Sequence, residues 1–219
     1  GQNADNTRGR LCAGLLSLAA AHRPDRARFV VFNGSTEPEH DEQLRQTLDT
    51  LPHGVAQVPF RDVDSSLAEL HAELQRRIED GAPTDTAEAP TTFIAVFGLQ
   101  RFRQFRKSDD GFSFSLDDDA GGASKPDEQL LDLLRDGPVV GMHLIVVADR
   151  AASIEPVFDR RALREFDNRV MFQMSATDSA QIIDSSEANA LGPYRALLYR
   201  DDRGTITRFR PYGMPSEDD

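Results

Sequence analysis

The stretch from Arg101 to Lys107 has the composition best suited to chemistry: Arg101, Arg103, Arg106 and Lys107 interleave with Phe102 and Phe105. Guanidinium groups beside aromatic faces suit a phosphate backbone or the carboxylates of an acidic partner helix. The plainer expectation is that the cations are solvated while both phenylalanines pack on the core. Arg150, Arg160, Arg161 and Arg164 form a second positive cluster, equally able to pair with the chain's own acids. The histidines His22, His40, His53, His71 and His143 lack metal-ligand spacing and companion cysteines. The acidic run Asp117 to Asp119 has no ligand spacing either and reads as part of a solvated loop. No Gly-X-Ser-X-Gly elbow is present, so nothing supports a serine hydrolase. The lone cysteine, Cys12, sits in an apolar helical pattern and reads as a small buried residue, not a nucleophile.

Those residues belong to a chain of 219, long enough for one sizeable core. Apolar residues make up 39%, charged residues 28%, and mean hydropathy is -0.48, the profile of a globular domain. No apolar run approaches the ~20 residues of a membrane span, so no membrane contact is expected. The polar start, Gly1 to Arg10, is unlike a signal peptide and carries no initiator Met; a segment of a longer chain is expected. One cysteine excludes an intrachain disulfide and suggests the reducing cytoplasm. Lys and Arg total 25 against 37 acids, and a net charge of -12 opposes bulk binding to nucleic acid unless the cations gather on one face.

The elements that must position these residues alternate. Leu11, Leu15, Leu16 and Leu18 mark a first helix ending before Pro24, and Phe29 to Phe32 reads as a buried strand closed by Asn33-Gly34. A helix through Leu44, Leu48 and Leu51 precedes a strand at Val55 to Phe60. Another follows through Leu67, Leu70, Leu74 and Ile78, with its charges on a polar face. After a linker from Gly81 to Pro90, Phe93 to Phe97 has the continuous apolar run of a strand covered on both faces. Residues 107–126 turn to Ser, Asp and Gly and read as a flexible acidic loop. Helix Gln129 to Arg135 leads to the most apolar strand, Met142 to Ala148, which reads as a buried strand with His143 inside it. Next come a helix around Arg161 to Phe166, a strand at Val170 to Met174 and a short helix from Asp178 to Ile183. Arg195 to Tyr199 and Thr205 to Phe209 read as a hairpin across Asp201 to Gly204. The expectation is one α/β domain over 1–219, a mostly parallel sheet with helices on both faces and a C-terminal β-hairpin.

The segment from Leu133 to Arg150, with Gly137-Pro138 and Gly141-Met142-His143 at its centre, resembles the helix, Gly-Ile-His strand and following Arg of FtsK/SpoIIIE motor domains. The similarity continues through Asn168 to Phe172, Asp178-Ser179, Ile183-Asp184, Ala188 to Gly192, Ala196 to Tyr199 and the closing Arg208-Phe209-Arg210. The resemblance implies a RecA-like P-loop NTPase sheet. In that family ATP sits on a Gly-rich loop between the first strand and first helix. The matching place holds a vestigial phosphate loop, Gly1, Asn3, Asp5, Asn6, Thr7, Arg8 and Gly9, without the Gly-Lys-Ser/Thr core. Arg8 does not reproduce a compact ammonium, and Asp5 sets negative charge where phosphate would lie. The acidic pair that would hold Mg²⁺ and activate water is replaced by Phe97-Gly98-Leu99-Gln100. The polar Thr-Gln pair after the next strand is replaced by Ala148-Asp149.

The resemblance therefore implies a pseudo-ATPase with a structural or regulatory role in a multidomain DNA-translocase ATPase, with no catalytic residues, no metal and no expected cofactor; the alternative is ATP bound without productive Mg²⁺ chemistry. Its implied partners are adjacent motor domains of the same chain or ring, a homo-oligomer included, with DNA reached through the parent protein and contacted by Arg101, Arg103, Arg106 and Lys107. The alternatives are a docking domain of an FtsK-related secretion ATPase and a weak ATPase with substitute residues. The family's strand ahead of the loop falls before Gly1, so the sheet is expected to lack that member.

Overall fold

The computed structural model describes residues 4–35, 38–81, 89–107 and 124–212. Gly1 and Asn3, the linker residues 82–88 and most of the expected acidic loop, including Asp117 to Asp119, lie outside the described residues.

Two strands with near-continuous burial, β1 (Ala27–Asn33) and β3 (Thr91–Phe97), form the heart of a parallel sheet. They are flanked by β2 (Gly54–Val58) and β4 (Met142–Val147) in the order β2-β1-β3-β4. β1 and β3 pair over their full length, Phe29 opposite Phe93 and Asn33 opposite Phe97. Their alternate side chains feed two separate cores. Phe29, Val31, Phe93 and Ala95 pack with Leu11, Leu15 and Ala19 of α1 (Ala4–Ala21) and Leu44 and Leu48 of α2 (Pro38–Asp49). Val30, Phe32, Ile94 and Val96 pack with Leu67, Leu70 and Leu74 of α3 (Val63–Glu79) and Leu130, Leu133 and Leu134 of α4 (Pro126–Arg135). Helices thus cover both faces, as the alternation of elements requires. Cys12 lies fully buried in the first core, where burial pushes its thiol above the ordinary value despite an opposing hydrogen bond with Thr47. Its reaction with a thiol reagent is expected to track global unfolding in urea; fast labelling of the native protein would contradict this placement.

Three expectations need correction. Helix α1 begins at Ala4, so Asp5, Asn6, Thr7, Arg8 and Gly9 lie in its first turns and not in a loop; Arg8 is 4% exposed and Gly9 is buried. The apolar stripe starts only at Leu11, and periodicity has nothing to register in the polar turns before it. Second, β4 is an edge strand: its residues from His143 onward are half-buried, and no described strand pairs with its far side. Gly98 N–H bonds Val147 O and Thr92 N–H bonds Gly141 O, so the backbone groups of Met142, Leu144 and Val146 turn toward that open edge. Third, α3's charges are not all solvated, because Arg77 is 8% exposed.

Beyond β4, residues 151–163 make a 3₁₀ turn and the single-turn α5 (Arg160–Leu163). The strand expected at Val170 to Met174 is β5 (Asn168–Met171), and it joins the hairpin rather than the parallel sheet. β5, β6 (Ala196–Arg200) and β7 (Thr205–Phe209) form an antiparallel sheet in that order. Buried Arg169 fixes the choice: it pairs with Asp201 at 3.0 Å beyond the end of β6 and sits 5.2 Å over the Tyr199 ring. Helix α6 (Ala176–Ile183) is capped by Ser175, whose hydroxyl accepts the Asp178 amide at 3.0 Å. Its face carrying Ile182 and Ile183 packs with Ala151, Met171 and Leu197 in a third core.

Candidate functional site

Ligands of open α/β sheets settle beyond the carboxyl ends of the strands. Here β1 ends in Asn33-Gly34 and β3 in Phe97-Gly98, and the two exits touch. Gly34 N–H donates to Phe97 O at 2.7 Å. A Cβ on Gly34 would meet Gly98 O and Phe97 O at 2.8 Å and the Phe102 ring at 2.9 Å, so only glycine fits. Gly98 takes the left-handed φ of 77° that turns the chain away from the sheet into two 3₁₀ turns, Leu99–Arg101 and Arg103–Phe105. Phe102 and Phe105 are fully buried, stacked on each other at 5.1 Å, with Phe60 stacked on Phe102 at 5.3 Å. The position after β3 is therefore filled by a backbone contact and aromatic rings.

This chemistry does not fit Mg²⁺·ATP. The residues following β3, Gly98-Leu99-Gln100, offer no carboxylate. The acid after β4, Asp149, is already engaged, accepting from Ser153 Oγ at 2.6 Å and pairing with Arg150 at 3.2 Å. Among the described residues, no group of three His, Cys, Asp or Glu side chains is placed to hold a metal ion.

The 3₁₀ turns instead present cations outward. Arg101, Arg103, Arg106 and Lys107 are all exposed while the phenylalanines between them are buried. The plainer expectation holds for the rings, which are buried, and for Arg101, Arg103 and Arg106, which are exposed. Lys107 is tied down: its ammonium pairs with Asp159, and its amide donates to Pro156 O at 2.9 Å. Asp159 also caps α5 by accepting the Ala162 amide at 2.8 Å. That amide and the Lys107 ammonium hold the carboxyl down to about 2. Through this pair the first arginine cluster is joined to Arg160, Arg161 and Arg164, which are exposed on α5 and just after it. Residues 52 apart in sequence make the junction, so sequence reasoning saw the two clusters without their union. Arg150, grouped with the second cluster, is occupied by Asp149.

The arrangement defines a fold class: an open parallel α/β sheet with helices on both faces, with no carboxylate at the exit of β3. No protein-family model matches the sequence, and no curated protein sequence does. Solved structures do match in fold, and these neighbours are FtsK/SpoIIIE-type ATPase domains. EccC of Thermomonospora curvata (ATPases 2 and 3, in complex with a signal sequence peptide) superposes with a TM-score of 0.61 at 16% identity, over 96% of this chain and 36% of that one. EssC of Geobacillus thermodenitrificans (ATPases 2 and 3) gives 0.60 at 17%, over 95% and 38%. B204, the DNA-packaging ATPase of Sulfolobus turreted icosahedral virus, gives 0.55 at 12%, over 92% and 89%. The chain thus spans little more than a third of the EccC and EssC chains. Among its described residues no helix is long and apolar enough to cross a membrane.

Proposed function

We propose that this domain is a non-hydrolysing FtsK/SpoIIIE-like module with a structural or regulatory role beside active motor domains in a multidomain ATPase. The observation that carries the reading is the exit of β3, where Gly98-Leu99-Gln100 stands in place of an acidic pair and Gly34 and Phe102 fill the space. A role kept for shape needs the sheet, the two helical layers and an outward surface, all of which the domain retains, but no phosphate or metal ligands. Adjacent motor domains are the natural partners, since RecA-like domains of the neighbours occur in tandem as ATPases 2 and 3. Calorimetric titration with ATP and Mg²⁺ tests this directly, with Asp5→Ala as a control for the start of α1. No Mg²⁺-dependent heat is expected in either protein; saturable binding, or turnover well above background, would give the lead to a weak ATPase.

A second reading, a docking domain of a secretion ATPase, draws support from the fold neighbour EccC, solved in complex with a signal sequence peptide. It shares the prediction of no hydrolysis and differs in requiring a peptide site.

A further inference from the structure

A row of rings crosses the amino end of the parallel sheet. Strand register sets Phe29 of β1, Phe93 of β3 and His143 of β4 side by side on one face. Phe29 stacks on Phe93 at 5.4 Å, and Phe93 on His143 at 5.5 Å. Two more imidazoles close over the row. His22, just past α1, meets Phe93 edge to face at 5.2 Å, and His53, between α2 and β2, meets Phe29 in the same way at 5.6 Å. Both are bonded to carbonyls, which makes the bonded nitrogens donors: His22 Nδ1–H to Leu18 O at 2.8 Å and His53 Nε2–H to His22 O at 3.1 Å. The second bond joins the α2–β2 turn to the end of α1. His53 is 9% exposed, and its other nitrogen, Nδ1, is buried without a partner.

Among the described residues none of these three imidazoles meets a carboxylate. The turn after His22 holds two cations, Arg23 and Arg26, and one acid, Asp25, which Arg23 takes at 3.2 Å. Asp49 at the end of α2 pairs with Arg45 at 2.9 Å. Arg28 belongs to the opposite face of the sheet, where Glu73 receives it. Neither α1 beyond Arg10 nor β2, β3 or β4 carries an Asp, Glu, Lys or Arg.

We propose that His22, His53 and His143 form an acid-sensitive latch: neutral, they hold the end of α1 and the α2–β2 turn over Phe29 and Phe93, and protonated, they release both from the sheet. A neutral imidazole has one N–H to place, and His22 and His53 each place it on a carbonyl. A second proton on His53 would sit on buried Nδ1, where no acceptor waits. His22 and His143 share one ring, so charging both sets two cations against Phe93. Burial, and after it the neighbouring His22, hold the His143 imidazole below its ordinary 6.5. With a depressed folded-state value the unfolded chain takes the proton first. Nothing is lost above about 6.5, and stability falls as pH drops through that value toward the folded one. The depressed carboxylates act in a lower window. Glu73 and Asp159 start from ordinary values of 4.5 and 3.8, so both stay charged while the imidazoles titrate.

The test is hydrogen–deuterium exchange read by mass spectrometry on the full chain at about pH 7.5 and about pH 5.5, with the intrinsic chemical rate divided out. The opening constants of peptides covering residues 16–26 and 50–55 are expected to rise at least about tenfold at the lower pH. Peptides from α3 and α4, on the other face of the sheet, are expected to keep theirs. The double variant His22→Gln, His143→Gln cannot charge beside Phe93, and its response is expected to shrink to about threefold or less. If that variant loses its native circular dichroism, His53→Gln, whose amide can still donate to His22 O, replaces it with the same expectation. His71→Gln is the control, since His71 pairs with Asp132 at 2.9 Å between α3 and α4; it should leave the response intact. Equal protection of the parent at both pH values, protection lost equally from α3 and α4, a response that survives without the imidazoles, or one that His71→Gln abolishes, each overturns the proposal.

Discussion

Phe102→Ala is expected to lower the unfolding free energy by about 3–5 kcal/mol, with the urea midpoint falling and the slope unchanged. For a chain of this size that is a drop of roughly 6–20 °C in Tm. The ring is fully buried, sandwiched between Phe60 and Phe105, and lies against the Gly34 backbone at the exit of β1. Removing it opens a cavity where β1, β3 and the turns carrying Arg101, Arg103 and Arg106 converge. Gly34→Ala attacks the contact from the other side. Its new methyl would strike two backbone carbonyls as well as the ring, so adding Phe102→Ala to it relieves only part of the clash and does not restore stability. A Phe102→Ala protein within about 1 kcal/mol of the parent would show that the turns after β3 are not part of the core.

That contact illustrates what a sequence discloses. The strands β1 and β3 were legible because both faces are buried and their apolar runs are unbroken, and the hairpin was legible from Asp201 to Gly204, where Gly204 takes φ +57°. β4 was misplaced in depth: its run Met142 to Val147 is the most apolar in the chain, yet burial depends on which strands lie beside it, and periodicity does not encode neighbours. The start of α1 was placed too late because helical signal was read from leucines, whereas the preceding turns bury Arg8 and Gly9 without any apolar stripe. The missing acids after β3 were plain from residue types alone. The closure of that space by Gly34 was not, because the two glycines are far apart in sequence and meet only through strand register. The union of the arginine clusters through Lys107 and Asp159 was hidden for the same reason.

Arg77 is the extreme case, a charge that read as solvated and proves to organise one end of the sheet. Glu73→Ala is expected to cost about 3–5 kcal/mol, because it strands a buried guanidinium. The Arg77 side chain is 9% exposed and donates to Glu73 at 2.6 Å, to Val140 O at 3.0 Å and to Pro90 O at 2.9 Å. Glu73 also receives Arg28, whose Nε reaches Thr92 Oγ1 at 3.0 Å, so one carboxylate links α3, β1 and β3. Burial alone would raise the Glu73 pKa, but Arg28 and Arg77 outweigh it and hold the carboxyl below its ordinary 4.5. A depressed folded-state value means that the contribution is complete above the unfolded value and lost as pH falls through the folded one. The stability gap between the parent and Glu73→Ala is therefore expected to be constant near neutrality and to narrow below about pH 4.5. A double variant, Glu73→Leu with Arg77→Met, removes both charges and leaves Val140 O and Pro90 O to find water. It should lose less than the sum of the single changes, and the difference measures the coupling. A gap that widened on acidification would assign the charge network a destabilising role and overturn this account of how α3 is fixed to the sheet.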